Sequence, residues 1–407
     1  MLIPSIDLMG GKAVQLRQGK EKILEREDAP ALARDFGKYG EIAVIDLDAA
    51  LGKGNNLLLV KEICKLADCR VGGGIRTVEL ANELLQAGAK KIIIGTMATP
   101  EFLSQLPKER VIVAIDTKDG VIVNNGWTNK TGQTPQKLIS SLEKYCSEFL
   151  FTNVNKEGML SGLDFEILNE LKKLTKNKIT VAGGITTLED VKTIENLGFN
   201  SQMGMALYTG KINLSEAFIS LLNFEKCNGL VPTIVQDERG QVLMMSFSSK
   251  ESIAKTFSSG QATYFSRTRK SLWTKGETSG NFQQFITARY DCDRDSLLFT
   301  VRQKNFTCHL GEYSCFGERN FTLEELYSVI KSRLENPSPS SYTSKIAKNE
   351  QELMGKIKEE SEELLNYTGR ENLIWEISDL AYFILVLMAK NNILPSDIKN
   401  ELWRRRK

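Results

Sequence analysis

The sequence Val71-Gly72-Gly73-Gly74-Ile75 returns as Val181-Ala182-Gly183-Gly184-Ile185, 110 residues further along the chain. Other residues recur with an offset of 109 residues, in three pairs: Ile6-Asp7 and Ile115-Asp116, Gly11 and Gly120, and Gly95 and Gly204. A nearly constant offset indicates two copies of one supersecondary unit. The repeat therefore predicts that the N-terminal half of the chain consists of two similar halves.

Short runs rich in Val and Ile alternate with amphipathic helical stretches through this half of the chain. The clearest of these runs are residues 43–47, 91–94, 111–115, 149–153 and 179–182. Such alternation is typical of βαβ units that form a parallel sheet. Four units in each copy add up to one (β/α)8 TIM barrel, which we expect over residues 1–224.

Polar groups follow the predicted strands, where the active site of such a barrel lies. Asp7 and Asp116 close strands one and five, on opposite sides of the mouth. Backbone amides in the turns after strands three, four, seven and eight can hold phosphate. The residues predicted to bind phosphate are Gly73, Gly74, Arg76, Gly95, Thr96, Gly183, Gly184 and Gly204. Two facing phosphate sites would suit a long substrate with a phosphate at each end.

Each of these features has a simpler interpretation when it is taken alone. A glycine after a strand is often required only by a tight turn, and a carboxylate at a strand end is often only a helix cap. The repeat favours the functional interpretation, because both features occur twice at the same offset.

Carboxylates and thiols are concentrated in one later segment, which reads Asp291-Cys292-Asp293-Arg294-Asp295, then Cys308-His309, then Cys315. Thiolates favour a soft ion such as zinc, whereas clustered carboxylates favour magnesium. The alternation of Asp and Cys predicts an extended segment that points the two ligand types to opposite sides. Three thiolates would leave one zinc position open for water, whose pKa such a site lowers toward about 7.

A closed structural zinc site, or cysteines that only fill a core, is the simpler alternative for this segment. His309 is the only histidine of the chain. We expect it to support the site or to move a proton, because three cysteines already fill the protein positions around a zinc ion.

The remainder of the chain is helical and charged. Thr322 and Glu325 predict a capping box on a first helix, and the Pro- and Ser-rich residues 336–341 separate this helix from the others. The acidic residues that share a helix face at spacings of three or four are Glu359, Glu360, Glu363, Glu376 and Asp379. A solvated face is the usual explanation. Asp379, however, stands where its helix becomes apolar, and a buried carboxylate needs a metal or a partner.

The composition excludes several classes of protein. A length of 407 residues predicts two to four domains, and 41% hydrophobic with 26% charged residues is ordinary globular composition. A net charge of +2 gives no strong attraction to nucleic acid or to anionic membranes. Seven cysteines indicate thiols in a reducing compartment, and hence a cytoplasmic protein. Residues 1–7 are predicted to be a buried strand rather than a signal peptide, and no uninterrupted apolar run predicts a membrane span.

The barrel resembles phosphoribosylformimino-AICAR ribotide isomerase in five motifs: Ile3-Pro4-Ser5-Ile6-Asp7-Leu8, Ile45-Asp46-Leu47-Asp48-Ala49, Gly72-Gly73-Gly74-Ile75-Arg76, Asn125-Gly126-Trp127 and Gly158-Met159-Leu160-Ser161-Gly162. The resemblance implies a metal-free Amadori rearrangement with Asp7 as general base and Asp116 as general acid, and it gives Thr152 a place in the catalytic set. Asn153 and Glu157 depart from the family, which usually has aspartates there. A related cyclase barrel shares the paired aspartates, but its cysteine near the first aspartate is absent.

The middle segment, residues 228–318, resembles phosphoribosyl-AMP cyclohydrolase in residues 264–269, 272–281, 308–311 and 314–316. The implied fold is a small, mostly-β metal-binding α+β domain that opens a purine ring by hydrolysis. By the same resemblance, Cys292, Cys308 and Cys315 bind zinc, with Cys292 reaching across a dimer interface, and Asp291, Asp293 and Asp295 bind magnesium. The implied substrate-binding residues are Arg267, Trp273, Lys275, Glu277, Thr278 and Ser279.

Residues 321–407 resemble phosphoribosyl-ATP pyrophosphatase, an all-α MazG-like fold. The resemblance implies that Ser341, Tyr342 and Lys345 bind phosphate and that the five acidic helix residues hold magnesium. One copy of these helices cannot bury both of their faces, so a homodimer or larger homo-oligomer is expected.

Together these resemblances predict a trifunctional enzyme of histidine biosynthesis that acts on small phosphoribosyl nucleotides and has no nucleic-acid or membrane partner. The order of the domains is the reverse of the order of the reactions, which motivates a channelling hypothesis. Two alternatives remain open: a bifunctional enzyme whose barrel is an inactive scaffold, supported by Asn153, and a nucleotide-binding regulatory protein that has lost the chemistry.

Overall fold

A computed structural model describes residues 1–17, 21–124, 127, 129–160 and 162–405. Asn125, Gly126 and Ser161 of the motifs above lie outside these residues. Residues 1–318 form one compact unit, which contains both the barrel and the middle region, and residues 319–403 form a second unit.

The described part of the N-terminal region alternates strands and helices as expected. Its strands are β1 (Leu2–Met9), β2 (Lys12–Arg17), β3 (Glu21–Arg26), β4 (Ile42–Asp46), β5 (Cys69–Gly72), β6 (Lys91–Ile94), β7 (Val111–Lys118), β8 (Val121–Asn124), β9 (Asn129–Lys130), β10 (Glu148–Asn153), β11 (Lys178–Ala182) and β12 (Asn200–Met203). Its α-helices are α1 (Ala29–Gly37), α2 (Leu47–Leu51), α3 (Leu57–Cys64), α4 (Val78–Gln86), α5 (Pro100–Leu103), α6 (Pro135–Leu142), α7 (Phe165–Leu174), α8 (Leu188–Asn196), α9 (Met205–Tyr208) and α10 (Leu214–Leu221). Short 3-10 turns cover Lys108–Arg110 and Glu143–Tyr145.

Eight of these strands close into a parallel barrel in the order β1, β4, β5, β6, β7, β10, β11 and β12, and β12 pairs again with β1. The predicted (β/α)8 barrel is therefore confirmed. The hairpin strands β2 and β3 extend from β1, and β8 and β9 extend from β7, at equivalent places in the two halves.

The turns after strands β5 and β11 require glycine, because a Cβ atom there would lie too close to neighbouring atoms. Gly73 has φ +95°, and a Cβ atom there would lie 2.2 Å from the carbonyl oxygen of Asp46. Gly183 has φ +82°, and a Cβ atom there would lie 2.9 Å from a carboxylate oxygen of Glu157. Only glycine allows strands β5 and β11 to turn this close to their neighbours.

The barrel interior has an apolar layer and a charged layer. Residues that form the apolar layer are Ile93, Ile112, Leu150 and Ala182, with Ile45 and Ala114 beside them. The charged layer lies toward the amino-terminal ends of the strands, where Glu148 is fully buried. Its carboxylate accepts hydrogen bonds from Arg70, Thr180 and Asn200, and Lys91 Nζ lies 2.8 Å from Glu148 Oε2.

The middle region is built on a four-stranded sheet. Its elements are β13 (Val231–Gln236), β14 (Val242–Ser248), α11 (Lys250–Ser259), β15 (Thr263–Ser266), β16 (Ser271–Thr274), β17 (Gln283–Tyr290) and β18 (Leu297–Gln303). The sheet order is β14, β13, β18, β17, and β15 forms a separate hairpin with β16. This architecture, with the single helix α11, agrees with the small, mostly-β α+β region that the sequence predicts.

The middle region packs on the amino-terminal end of the barrel, opposite its mouth. The backbone of Ala288 donates to the carbonyl of Lys38, and Arg289 donates to Asp68 across 2.8 Å. Aromatic rings fill the interface, and the ring centroids of Tyr39 and Phe257 lie 4.3 Å apart. Lys38 and Asp68 precede strands β4 and β5, so the contact leaves the carboxyl ends of the strands free.

The second unit is helical. Its elements are α12 (Leu323–Glu335), α13 (Tyr342–Ile346), α14 (Glu350–Leu365), α15 (Arg370–Lys390) and α16 (Pro395–Arg405). Thr322 accepts from the amide of Glu325, as predicted, but the carboxylate of Glu325 pairs with Arg319, 3.2 Å away. The core includes Tyr327, Ile330, Leu353 and Val386.

Helix α15 is long and apolar enough, by length and composition, to cross a membrane. This finding differs from the expectation of no such segment. One face of α15 is buried in the core through Phe383, Leu385 and Val386. A core helix of this kind satisfies the same criterion, so the finding is weak evidence for a membrane span.

We expect Glu148→Ala to destabilise the barrel by about 3 kcal/mol, because the buried guanidinium of Arg70 then keeps only its ion pair with Glu41, and Lys91 loses its carboxylate. Glu83→Ala removes the exposed partner of Lys61 and is the matched control, with an expected cost below about 1 kcal/mol. Urea unfolding of both variants measures the difference. Equal unfolding midpoints would show that the buried Arg70 and Glu148 network stabilises the barrel no more than an exposed ion pair does.

Candidate functional site

A cavity of about 470 Å³ opens at the mouth of the barrel. Its lining includes the two predicted catalytic aspartates and Thr152. It also includes every barrel residue that the sequence predicts for phosphate binding: Gly73, Gly74, Arg76, Gly95, Thr96, Gly183, Gly184 and Gly204. The barrel alone supplies the lining, from Ser5 to Ala206. Residues separated by more than 100 positions in sequence thus face one space.

Asp7 and Asp116 are partly buried in this cavity. Burial raises the pKa of Asp7 to about 6, and the hydrogen bond from Ser5 Oγ, 2.8 Å long, opposes the rise. Burial also raises the pKa of Asp116, against hydrogen bonds from Trp127 and Thr152. Trp127 Nε1 lies 2.9 Å from Asp116 Oδ2. The pKa of Asp7 therefore lies near the pH at which a carboxyl group can exchange protons in catalysis, and the pKa of Asp116 is shifted in the same direction.

A third carboxylate, that of Glu157, belongs to the same cavity. Its Oε2 atom is buried and has no hydrogen-bond partner among the described residues. Burial, followed by the charges of Asp7 and Asp116, raises the pKa of Glu157 to about 8. The sequence marks Glu157 only as a departure from the family, because a loop residue four positions after a strand end does not reveal its direction.

The phosphate turns have their backbone amides near helix starts. Thr77 caps α4 and Thr187 caps α8, each after one of the glycine turns. Arg76 donates to the carbonyls of Ala49 and Ala50 at 3.1 and 3.0 Å, which fixes its guanidinium at the rim. The geometry is thus suited to anions on two opposite sides of the cavity.

Asp291, Asp293 and Asp295 form a second cluster, with carboxylate oxygens within 4.8 Å of one another. The segment is a turn and not the extended strand that the alternating pattern predicts. The carboxylate of Asp291 accepts from the backbone amides of Asp295 and Ser296 at 3.0 and 3.1 Å, and these bonds bend the chain. Arg294 has φ +63° within the turn.

Two of the three predicted zinc ligands lie together in this chain. Burial and the neighbouring Cys308 thiol raise the pKa of Cys315. Cys292 does not join them in a metal-binding group among the described residues. This is compatible with the expectation that Cys292 reaches another copy. His309 is exposed beside Cys308.

The six predicted substrate residues of the middle region lie on or beside the β15–β16 hairpin. Arg267 stacks on Phe247, with 3.8 Å between the guanidinium carbon and the ring centroid. Lys275 donates to the carbonyl of Thr307 across 2.6 Å, next to Cys308. The exposed loop that follows contains Glu277, Thr278 and Ser279. Trp273 lies in the hairpin strand β16.

The helical unit contains a third acidic cluster, formed by Glu360, Glu363 and Glu376. Burial and then Asp379 raise the pKa of Glu360, which shows that Asp379 is a neighbour. Buried Glu376 Oε2 has no hydrogen-bond partner among the described residues, so this oxygen is available as a cation ligand. Glu359 is outside this compact group, because it is exposed and pairs with Lys356, 2.8 Å away.

The predicted phosphate residues of this unit belong to the short helix α13. Ser341 caps it and accepts from the amide of Ser344, while Tyr342 and Lys345 are exposed. The charge of Glu360 is among the influences on the pKa of Tyr342, so α13 lies beside the acidic cluster.

Three family models match the chain in order. The model described as histidine biosynthesis protein matches residues 1–213, phosphoribosyl-AMP cyclohydrolase matches 244–317, and phosphoribosyl-ATP pyrophosphohydrolase matches 323–406. The chain belongs to the histidine biosynthesis protein family. Its cyclohydrolase and pyrophosphohydrolase regions belong to families that are generally metal-dependent. The chain is thus a multifunctional histidine biosynthesis enzyme with isomerase and hydrolase regions.

Similar proteins match separate parts of this histidine biosynthesis enzyme. A phosphoribosyl imidazole-4-carboxamide isomerase of Methanocaldococcus jannaschii is 40% identical over 53% of the chain and 97% of its own length. A histidine biosynthesis bifunctional protein of Pyrococcus furiosus is 43% identical over 47% of the chain and 99% of its own length. A histidine biosynthesis trifunctional protein of Saccharomyces bayanus is 35% identical over 60% of the chain and 31% of its own length.

Among the residues that the sequence does not assign to a site, Glu157 lies in the cavity, Trp127 donates to Asp116 there, and Lys226 lies against the aspartate turn. The position of Glu157 could have been found from the sequence, because this chain has a glutamate where the family usually has an aspartate. Lys226 gave no such signal, since it precedes the segment that resembles a known family.

We expect Glu157→Gln to stabilise the histidine biosynthesis enzyme above about pH 5. The pKa of Glu157 is about 8 in the fold against an ordinary 4.5. As pH rises from 4.5 to 8, the unfolded chain loses a proton that the folded chain keeps, which favours unfolding. Glutamine removes this penalty of about 2 kcal/mol or more.

Thermal unfolding of Glu157→Gln between pH 5 and 9 measures the effect, and the gain over the parent chain should grow up to about pH 8. Glu170→Gln, at an exposed position on α7, is the control and should match the parent chain at every pH. A Glu157→Gln variant no more stable than this control would contradict the raised pKa.

Proposed function

We propose that the barrel catalyses an Amadori rearrangement, from aldose amine to ketose amine, of a substrate with a phosphate at each end. The observation that carries the proposal is the meeting of Asp7, Asp116 and Glu157 in one cavity between two sets of glycine turns. A carboxylate base and a carboxyl acid on opposite sides of an opened sugar can move a proton from carbon and deliver another.

In this proposal Asp7, with a pKa of about 6, is ionised near neutral pH and accepts the proton. Asp116 donates, and Thr152 and Trp127 orient its carboxyl group through hydrogen bonds. Glu157 keeps its proton to about pH 8. A protonated Glu157 limits the negative charge that would otherwise repel both aspartates and the phosphates of the substrate.

The alternative of an inactive scaffold barrel rests on Asn153. Asn153 is not among the residues that line the cavity, whereas Glu157, the longer carboxylate of the same loop, is. The change at Asn153 therefore leaves the three carboxyl groups in place, which favours an active barrel. A purely regulatory role is disfavoured too, because binding alone does not require two aspartates whose charges raise the pKa of a third carboxyl group.

For the middle region we propose hydrolytic opening of a purine ring with Zn²⁺ and Mg²⁺. Cys308 and Cys315 fit two zinc positions, and Cys292 of a second copy would be the third. When bound, zinc would lower the pKa of a water toward about 7. Lys275 orders the Cys308 loop through the Thr307 carbonyl, and His309 beside it can carry a proton. Asp291, Asp293 and Asp295 would hold Mg²⁺.

For the helical unit we propose hydrolysis of a nucleoside triphosphate to a monophosphate and pyrophosphate. Glu360, Glu363 and Glu376 would hold Mg²⁺, with Glu359 and Asp379 at the edge of the set. Bound Mg²⁺ would neutralise the leaving pyrophosphate. Ser341, Tyr342 and Lys345 present a hydroxyl, a phenol and an ammonium group beside it for phosphate.

We also propose an oligomeric state and a cellular location for the protein. Helix α15 leaves Ile374, Trp375 and Ile377 at least half exposed, which supports a homodimer or larger homo-oligomer. Small phosphoribosyl nucleotides are the proposed partners, and free thiols at all seven cysteines suit the cytoplasm.

We expect the isomerase activity of the intact chain to rise as Asp7 ionises near pH 6 and to fall as Glu157 ionises near pH 8. Asp7→Asn should lower kcat by about 100-fold or more. Lys137→Met, at an exposed position on α6, is the control with unchanged kcat. Turnover of the ribotide by the intact chain measures the pH profile and kcat. Rescue of a strain that lacks the isomerase, by residues 1–224, is a second test of isomerase activity. A fully active Asp7→Asn enzyme would rule out the proposed base.

We expect Cys308→Ser to abolish stoichiometric zinc and ring opening while the isomerase rate of the same protein stays unchanged, because the barrel cavity contains no residue of the middle region. Cys146→Ser, in the barrel core, is the thiol control and should keep its zinc. Metal analysis and separate assays of the three reactions measure the result. Undiminished zinc in Cys308→Ser would exclude this cysteine as a ligand.

A further inference from the structure

The segment that joins the barrel to the middle region touches the aspartate turn. Lys226 of this segment places its ammonium group between Asp293 and Asp295, with Nζ 2.5 Å from Asp293 Oδ2 and also paired with Asp295. Lys226 lies outside both matched ranges, 1–213 and 244–317. It is therefore contributed by the junction between the two regions.

Several further contacts keep the junction against the turn. The amide of Asn223 donates to the carbonyl of Arg294 across 2.8 Å. Cys227 Sγ lies 3.2 Å from the carbonyl of Asp295, and Arg294 donates to Asn196 of the barrel across 2.9 Å. These contacts on both sides of Lys226 hold the junction against the turn, while the side chain of Lys226 itself stays about half exposed.

The carboxylate turn fits a divalent cation. Three carboxylates whose oxygens lie within 4.8 Å of one another need a positive charge, and oxygen ligands suit Mg²⁺ or Mn²⁺. Asp291 is already held by backbone amides and by Ser296, whereas Asp293 and Asp295 rely on Lys226. The ammonium group stands at the carboxylates that a metal ion would need.

We propose that Lys226 is a built-in counter-ion of the Asp291, Asp293 and Asp295 carboxylates, and that a divalent cation binds there by displacing its ammonium group. The inference rests on the proposed metal role of these aspartates. It assigns to the segment between α10 and β13 control over the metal affinity of the cyclohydrolase. Without metal, Lys226 keeps the turn folded; with metal, the lysine swings into solvent.

Binding of Mn²⁺ to the full chain tests the displacement. All variants contain Glu376→Gln, so that the acidic cluster of the helical unit does not contribute. Lys226→Met removes the charge but keeps the stem, and it should bind Mn²⁺ on the order of tenfold more tightly, because the cation no longer has a competitor. Lys226→Arg should stay within about twofold of the parent chain, as should the exposed control Lys304→Met.

Thermal unfolding in EDTA gives a readout that is independent of activity. In EDTA, Lys226→Met should unfold at a lower temperature than the parent chain and Lys304→Met. Added Mg²⁺ should remove this difference in unfolding temperature. Asp293→Asn in the same background should lose the Mn²⁺ site. If it loses nothing, the proposed metal role of the aspartates fails, and the displacement fails with it. If Asp293→Asn loses the site but Lys226→Met binds Mn²⁺ no more tightly than Lys304→Met, only the displacement is overturned.

Discussion

Closure of eight parallel strands into one ring is the constraint on which the rest of the first unit depends. Parallel strands in a ring place all of their carboxyl ends at one end of the barrel and all of their amino ends at the other. The three carboxyl groups and the glycine turns meet at the carboxyl ends. The amino ends are left for the Arg70 and Glu148 network and for the middle region. The barrel thus has its cavity at one end and its contact with the middle region at the other.

Like charges are brought together at three places, and each place deals with the repulsion differently. In the barrel, Glu157 keeps its proton to about pH 8, since burial and the charges of Asp7 and Asp116 raise its pKa. The aspartate turn receives the ammonium group of Lys226. In the helical cluster, burial and a neighbouring carboxylate raise the pKa of Glu360, and Glu376 Oε2 has no hydrogen-bond partner among the described residues. A retained proton and a lysine counter-ion are two physical answers to the cost of bringing negative charges together.

The arrangement of the first unit bears on the movement of intermediates. The middle region packs against residues that precede strands β4 and β5, such as Asp68, whereas the cavity opens at the other end of the same strands. An intermediate that leaves the middle region of one chain therefore reaches the barrel mouth of that chain by travelling around the barrel. A channel through the lumen is closed by the apolar layer and by the buried charges beneath it.

The repeat, the (β/α)8 barrel and the candidate residues could be predicted from the sequence, because glycine turns, strand periodicity and ligand types are local properties. Which of these residues lie together depends on the tertiary structure. Glu157 faces Asp7 and Asp116 because a loop folds inward, and Asp291 lies in a turn because backbone amides capture its carboxylate. Lys226 reaches a site 67 residues away through a junction with no motif of its own. Such contacts depend on packing between distant segments, which no local pattern encodes.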